Sequence, residues 1–420
     1  MDLFEHRLLA LEAGGTALGP ESYAGLDAVR SNGGAWFLQQ VGEARLVGRG
    51  GGAFPAWLKW QCVLKHPGPR HVLVNGEEGE PAAWKDRYLL RCHPHLVLEG
   101  AAAAALAVEA DKIWIYVSDE TTAGVMRDAA VTGAERLAGI AVGVVVVPHT
   151  YVAGDETAAV SFVSGAKALP HVKPPRPSRK GVDGQPTLVS NVETFAQAAL
   201  IARRGAGYYA AVGTQASPGT FLATVSGSVS VPRLLEVPFG TPLAQIVQAA
   251  GADPKAVHGV LLGGYFSGFL PASLLSTPAA NEELKPLGFG LGNGAIVVVG
   301  HDRCPVTVVA DLLAFFAAES AGQCGPCVRG TQELRQIGGD LKSGAATQAH
   351  LARLEHLGAM LMGRGACSLL DAAAMTATRA LQHFGPVLQA HAGQPCPDCA
   401  GVPLDASGGY AVRDLESLLQ

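Results

Sequence analysis

Apolar residues gather first into short continuous runs. Residues 71–76 (His-Val-Leu-Val-Asn-Gly), 112–117 (Lys-Ile-Trp-Ile-Tyr-Val) and 139–148 are rich in β-branched side chains and are bounded by turn residues. Such runs predict buried strands, and 139–147 is the longest of them. Between the runs, the Ala-rich stretch 94–110 and residues 120–138 repeat apolar positions at helical spacing. Strand, helix, strand, helix, strand in that order predicts an α/β layer with parallel pairing. Residues 41–47 are too polar for a central strand. Residues 166–187 hold five prolines and several basic residues, and predict a long non-helical loop. An apolar-periodic helix follows over 191–210.

The texture changes near residue 220. Residues 221–229, 234–238 and 257–262 read as strands, with a helix over 242–250 and glycines at the corners. They predict a small α+β unit ending near Gly300. From Pro305 to the low 390s the pattern is helical and Ala/Leu-rich, and a polar tail begins near 392. The resulting division is 1–217, 218–303, 304–391 and 392–420.

Composition narrows the classes. The 420 residues are 48% hydrophobic and 16% charged, which is globular rather than disordered. A net charge of −5 argues against a broadly basic nucleic-acid surface. No apolar run reaches the roughly 18–20 residues of a membrane-spanning helix. The start, Met-Asp-Leu-Phe-Glu-His, has no signal-peptide pattern. The expectation is a soluble cytoplasmic protein with neither nucleic-acid binding nor membrane insertion. Eight cysteines in a chain of this size suggest metal or redox chemistry before disulfides.

Residues 48–60, Gly-Arg-Gly-Gly-Gly-Ala-Phe-Pro-Ala-Trp-Leu-Lys-Trp, are the most informative stretch. Glycine lets backbone N–H groups approach a phosphate without a Cβ in the way, and a helix N-terminus adds free donors and a positive dipole end. The pattern G-x-G-x-x-A at 48–53 needs a strand before it and a helix after it to signify a dinucleotide loop. The plainer reading is a Gly-rich surface turn.

Three polar turns stand out, two of them after predicted strands and the third at a helix start. Residues 75–87 read Asn-Gly-Glu-Glu-Gly-Glu-Pro-Ala-Ala-Trp-Lys-Asp-Arg. In open α/β sheets ligands bind beyond the carboxyl ends of strands. Acidic groups there accept hydrogen bonds from hydroxyls or ring N–H groups, hold Mg²⁺, or form a solvated turn. Residues 151–157, Tyr-Val-Ala-Gly-Asp-Glu-Thr, and 190–194, Ser-Asn-Val-Glu-Thr, are similar turns at helix starts, where Asp155 and Asn191 have helix capping as their plainer role.

Cys324 and Cys327 form a C-x-x-C pair with Cys367 forty residues on. Iron–sulfur clusters take cysteine thiolates, four for a cubane. A structural zinc, a redox dithiol or three small buried side chains are the alternatives. Cys396-Pro-Asp-Cys399 is a second pair, open to zinc with His391 or to a free tail, and no further pair lies nearby in sequence.

Together these segments resemble the FMN- and NADH-binding flavoprotein subunits of respiratory complex I and of soluble NAD-linked hydrogenases and formate dehydrogenases. The resemblance runs in one order over roughly 40–390. It rests on Gly48-Arg49-Gly50-Gly51 with Phe54-Pro55 and Leu58-Lys59-Trp60, on 75–87, on Gly154-Asp155-Glu156-Thr157, on Asn191-Val192-Glu193-Thr194 and on Lys173-Pro174-Pro175. It implies a Rossmann-like FMN domain, a small ubiquitin-like (SLBB) domain and a helical iron–sulfur domain. It implies FMN contacts from Gly48, Gly50, Gly51, Lys59, Asn75, Glu77, Tyr151, Gly154, Asp155, Ser190, Asn191 and Thr194. Nucleotide contacts would be Phe54, Glu80, Glu156 and Lys173, with Glu80 and Glu156 in the catalytic role. Cys324, Cys327 and Cys367 would ligate the cluster. The implied activity is hydride transfer from NADH to FMN, then single electrons to a ferredoxin-like or thioredoxin-like iron–sulfur subunit in a hetero-oligomer.

Two departures accompany the resemblance. The family's cysteine box begins with a further cysteine where this chain has Ala321, so 324, 327 and 367 supply three thiolates. Of three aromatic positions flanking the adenine only Phe54 remains; the others are Cys62 and Arg176. Each lost ring costs about 0.5–1.5 kcal/mol of stacking. The rival reading is a non-catalytic scaffold subunit retaining the fold.

Overall fold

The computed structural model describes residues 6–11, 22–399, 401–407, 410 and 412. The chain forms two compact units, one of residues 1–79, 84–222 and 236–240, the other of 80–83, 223–235 and 241–420.

In the first unit the elements run α1 (Ala24–Asn32), α2 (Gly34–Glu43), α3 (Ala56–Leu64), β1 (His71–Asn75), α4 (Lys85–Cys92), α5 (Pro94–Val108), β2 (Lys112–Val117), α6 (Glu120–Thr132), β3 (Ala141–Val146), α7 (Glu156–Val163), β4 (Thr187–Asn191) and α8 (Val192–Tyr209). The sheet order is β3-β2-β1-β4 and every pair is parallel. The chain winds outward from β1 to β3, then returns to lay β4 on the other side of β1. That reversal opens a crevice beyond the carboxyl ends of β1 and β4, the place where open α/β sheets take ligands. Asn75 and Asn191 sit opposite one another there.

Helices α5 and α8 pack closely, and Gly100 makes the approach possible, since a Cβ there would collide with the Phe195 carbonyl. The buried Glu99 carboxylate lies 2.7 Å from Arg203 and accepts the Gly25 and Leu26 N–H groups at 2.6 and 3.2 Å, fixing the start of α1 to this pair.

Three sequence expectations shift. Residues 187–191, read as the end of a loop and a polar turn, form the strand β4, because pairing with β1 buries a segment too short to stand out alone. The apolar run at 139–147 forms the edge strand β3, whose residues are exposed or half-buried rather than buried, because it has β2 as its one neighbour. Helix α6 stops at Thr132, short of 138, where turns carry the chain to Gly139 in the left-handed region.

After α8, β5 (Thr220–Gly227), β6 (Arg233–Pro238), α9 (Leu243–Ala249), β7 (Val257–Leu262), β8 (Phe269–Pro271), α10 (Asn281–Leu284) and β9 (Ala295–Gly300) follow, and their strands form a sheet of order β6-β5-β9-β7-β8. Strand β9 pairs parallel with β5 and antiparallel with β7, so the sheet is mixed. All six residues of β9 are buried. The sequence pattern reads this segment only as the end of a unit, although it is the central strand. Helices α11 (Pro305–Ala318), α12 (Gly325–Ser343), α13 (Gln348–Met360) and α14 (Leu369–Ala390) follow. Helix α11 packs on α12 and α14, and α13 packs on α14. Among the described residues no helix is long and apolar enough to cross a membrane.

Candidate functional site

The crevice is built first from the end of β1. The Asn75 Nδ2 group donates to the Gly154 carbonyl at 2.8 Å. Glu77 Oε1 accepts the Thr150 N–H at 3.3 Å and lies 2.9 Å from His149 Nδ1. These bonds stitch the turn after β1 to the segment after β3. Glycines let the two backbones meet: a Cβ at Gly154 would lie 3.3 Å from the Glu77 carbonyl oxygen, and one at Gly79 3.0 Å from Tyr151. Asn75 Oδ1 and Glu77 Oε2 are buried and meet no donor among the described residues. Buried acceptors are rarely left so. They are two open hydrogen-bonding positions where a ligand's N–H or O–H groups would go.

The Gly-rich turn forms the next wall. It follows helix α2 and an isolated pairing of Val47 with Pro55, not a strand, so the strand–turn–helix context of a dinucleotide loop is absent. Gly48 N–H donates to the Phe54 carbonyl at 2.9 Å, closing 48–54 on itself. Gly51 has φ 110°, in the region that favours glycine. A Cβ at Gly50 would come within 3.2 Å of the Asn191 Cβ. Arg49 N–H donates to Thr194 Oγ1 at 3.0 Å. The turn therefore lies over the start of α8, beside the β1–β4 crevice. Pro55 caps α3, and Phe54 is half-exposed.

Arg49 points the other way. Its buried guanidinium donates to Tyr209 Oη at 2.7 Å and the Thr220 carbonyl at 2.9 Å, lies 3.5 Å from Glu193, and sits over the Phe239 ring at 4.6 Å. Glu193 also holds Lys85 Nζ at 3.1 Å. Lys85 Nζ reaches Asp86 at 2.7 Å and Asn191 Oδ1 at 2.9 Å, and Asn191 Nδ2 donates to Asp86 at 2.6 Å. Burial raises the Glu193 carboxyl, against the pull of Lys85 and Arg49. Behind this network Glu78 accepts the Asp86 and Arg87 N–H groups at the start of α4. Burial, and then the Asp86 charge, pushes its carboxyl up to about 7.

This changes how several sequence candidates contribute. Asn191 caps α8 and commits its amide to Glu193, Lys85 and Asp86, so its backbone is what remains for a ligand. Thr194 holds the Gly turn. Asp155 caps α7, accepting the Thr157 N–H at 2.7 Å and hydroxyl at 2.6 Å. Ser190 is buried at the end of β4. Tyr151 lies in the turn before α7. Lys59 of α3 pairs with Glu156 at 3.0 Å, and Lys173 lies 3.2 Å from Glu156 and 3.4 Å from Asp155. Burial opposes the Glu156 charge, but the two ammonium groups win and hold its carboxyl below the usual range. Glu80 belongs to the second unit, where it accepts the Tyr265 N–H at 3.1 Å. Sequence reasoning does not place Arg49, Lys85, Asp86 or Glu193 in the site. Charges inside quoted motifs at the ends of apolar elements are the available signal.

The cysteines are also positioned. Cys324 caps α12 and Cys327 lies in its first turn. The Ala366 N–H reaches Cys324 Sγ at 3.4 Å, which brings the turn bearing Cys367 alongside; Ser320 Oγ lies 3.4 Å from Cys327 Sγ. Ala321 stands in the turn before α12 and offers no donor side chain.

Two regions of the chain match known families. Residues 41–200 match the family described as the Nuo51 FMN-binding domain, and 307–391 the NADH-ubiquinone oxidoreductase-F iron-sulfur binding region. The chain is 32% identical over 370 residues to an F-type NADH-quinone oxidoreductase subunit of Rhizobium meliloti (strain 1021), covering 84% of this chain and 88% of that one. It is 32% identical over 376 residues to the mitochondrial NADH dehydrogenase [ubiquinone] flavoprotein 1 of Dictyostelium discoideum, covering 84% and 78%. Among solved structures it resembles an NAD⁺-reducing [NiFe]-hydrogenase in the H₂-reduced state, with TM-score 0.83, 31% identity, and coverage of 92% of this chain and 69% of that chain.

Proposed function

Because this chain belongs to the family of F-type NADH-quinone oxidoreductase flavoproteins, we propose that it is an FMN-dependent NADH dehydrogenase delivering electrons to an iron–sulfur partner. One observation carries the reading: the open acceptors Asn75 Oδ1 and Glu77 Oε2 at the β1–β4 crevice, beside a glycine turn whose backbone is free of side-chain bulk. FMN presents a ring N–H and ribityl hydroxyls as donors and a phosphate that suits glycine N–H groups, so the donor and acceptor sets match. When bound, FMN takes hydride from NADH and passes electrons on singly.

The protein's part is placement. Asn75 and Glu77 would hold the polar edge of the ring and the ribityl chain. Gly48, Gly50 and Gly51 would approach the phosphate. The backbones at Ser190, Asn191, Tyr151 and Gly154 would line the crevice, with Thr194 and Asp155 supporting it. Glu156 and Lys173 form a charged pair suited to ribose hydroxyls of NADH, with Phe54 exposed for stacking, and Lys59, which pairs with Glu156, would contact the FMN. Glu80 is likewise assigned a nucleotide contact. We read β5–β9 as an SLBB-like domain and α11–α14 as the helical iron–sulfur domain, in the four-part division above. Cys324, Cys327 and Cys367 would supply three thiolates to an iron–sulfur cluster. The partner would be a ferredoxin-like or thioredoxin-like subunit in a cytoplasmic hetero-oligomer.

Spectra of the anaerobically purified full chain, supplied with FMN, before and after NADH, test this. Retained flavin that bleaches with NADH supports the dehydrogenase. Flavin that binds but does not bleach points instead to the non-catalytic scaffold, which Ala321, Cys62 and Arg176 favour. Failure to bind flavin overturns the dehydrogenase and leaves a scaffold that has lost the cofactor.

A further inference from the structure

In the second unit a cysteine at the start of α11 meets three side chains from the segment after α14, none of them Cys324, Cys327 or Cys367. The four are Cys304, His391, Cys396 and Cys399, and their sulfur and nitrogen atoms all lie within 4.8 Å of one another. Cys304, at the start of α11, His391, just past the end of α14, and Cys399 are buried, and Cys396 is half-buried. None of the cysteines is in a disulfide. We propose that these four residues bind a single structural Zn²⁺ ion.

Size argues for one ion. Zinc bound at about 2.3 Å to sulfur in a tetrahedron sets its ligand atoms about 3.8 Å apart. His391 Nε2 lies 3.3 Å from Cys304 Sγ and 3.6 Å from Cys399 Sγ. A multi-iron cluster puts thiolates on different irons and needs a wider set.

The surroundings argue for a metal rather than a chance cluster. His391 Nδ1 lies 2.7 Å from the Val387 carbonyl. That bond keeps the proton on Nδ1 and leaves the Nε2 lone pair facing the sulfurs, the usual way a zinc-bound histidine is oriented. The Thr307 hydroxyl donates to Cys399 Sγ at 3.3 Å, as to a thiolate. The Cys399 N–H donates to the Cys396 carbonyl at 3.1 Å, closing the Cys-Pro-Asp-Cys turn so that both sulfurs face one point. Cysteine pairs spaced this way with a histidine are a common structural zinc set.

The ion would fasten the end of α14 and the segment after it to the start of α11, across 87 residues between Cys304 and His391. That segment is bound further along within the same unit: Lys342 Nζ donates to the Pro403 carbonyl at 2.9 Å, and the Asp405 N–H to Asp311 at 3.1 Å.

Elemental analysis of the full chain, purified without chelator, should give about one zinc per chain. The Cys396→Ser/Cys399→Ser variant should lose it while keeping flavin, whereas Cys324→Ser/Cys327→Ser should keep it. Should the first variant fail to fold, X-ray absorption at the zinc edge of the unaltered protein decides. Three sulfurs at about 2.3 Å and one nitrogen at about 2.0–2.1 Å support the site. Unaltered protein without zinc, zinc that disappears with Cys324 and Cys327, or a zinc shell lacking sulfur overturns it.

Discussion

The Arg49 guanidinium and the Glu193 carboxylate lie 3.5 Å apart with side chains 5% and 1% exposed. This buried pair ties the glycine turn to the first turn of α8. The glycine-turn backbone and the helix that flanks the crevice are thus one mechanical piece.

Arg49→Ala should therefore act on both stability and cofactor retention. Breaking one side of a buried ionic network costs about 3–5 kcal/mol, tempered here because Lys85 still faces Glu193 at 3.1 Å. Denaturant unfolding of the FMN-free protein should show a loss of about 3 kcal/mol. Arg49→Lys keeps the charge but loses the fork to Tyr209 and Thr220, and should recover only part of it. An Arg49→Ala protein as stable as the original would remove the network from the account.

Asn75→Ala removes one open acceptor and the bond to Gly154. FMN affinity, read by flavin fluorescence, should weaken about tenfold, the equivalent of one hydrogen bond of about 1.4 kcal/mol. An unchanged Kd would place the flavin elsewhere.

Glu78 gives a pH signature. Its carboxyl is raised from 4.5 to about 7 in the folded chain. The folded state then holds a proton that the unfolded chain has released. Its contribution to stability is complete below about 4.5 and disappears as pH rises through about 7. Stability should fall between these values by more in the unaltered protein than in Glu78→Gln, which has no proton to lose. Parallel pH–stability curves for the two proteins would contradict the buried, proton-bearing Glu78.

Ala321→Cys restores a thiol three residues before Cys324. Anaerobically reconstituted Ala321→Cys should hold more iron and acid-labile sulfide per chain than the unaltered protein, and show the stronger NADH-reduced EPR signal. Equal iron and an unchanged signal would mean that position 321 does not face the cluster.

Three strands of the first sheet are legible in the sequence because β1, β2 and β3 are short apolar blocks separated by helical stretches, whereas β4 escapes because its five residues fall between a proline-rich loop and a polar turn. The turns that meet at the crevice are legible too, since glycines and acids concentrate there. Which side chains are already occupied is not. Asn191 and Asp155 look like ligands in one dimension, yet their side chains are taken up by caps and by Lys85, Asp86 and Thr157. Lys85 and Glu193 look like solvated charges until burial pairs them. Strand β9 escapes notice because a short apolar run says nothing of its two partners. Cys304 escapes because its neighbours in space come long after it in the chain, and local spacing cannot report a contact across 87 residues.

The glycine turn has two halves of different character. Arg49 is buried and pinned to Thr194 and Glu193, and Gly50 lies against Asn191. Gly51, Gly52 and Phe54 are exposed, and Ala53 between them sits at φ 44°. Change at the pinned half disturbs the core along with the cofactor. Change at the outer half touches little besides whatever docks there. At the tip, Gly52 and Phe54 are therefore the positions whose side chains can change with little penalty in folding, while Gly51 and Ala53 are held by their positive φ and the root at 49–50 by its place in the core.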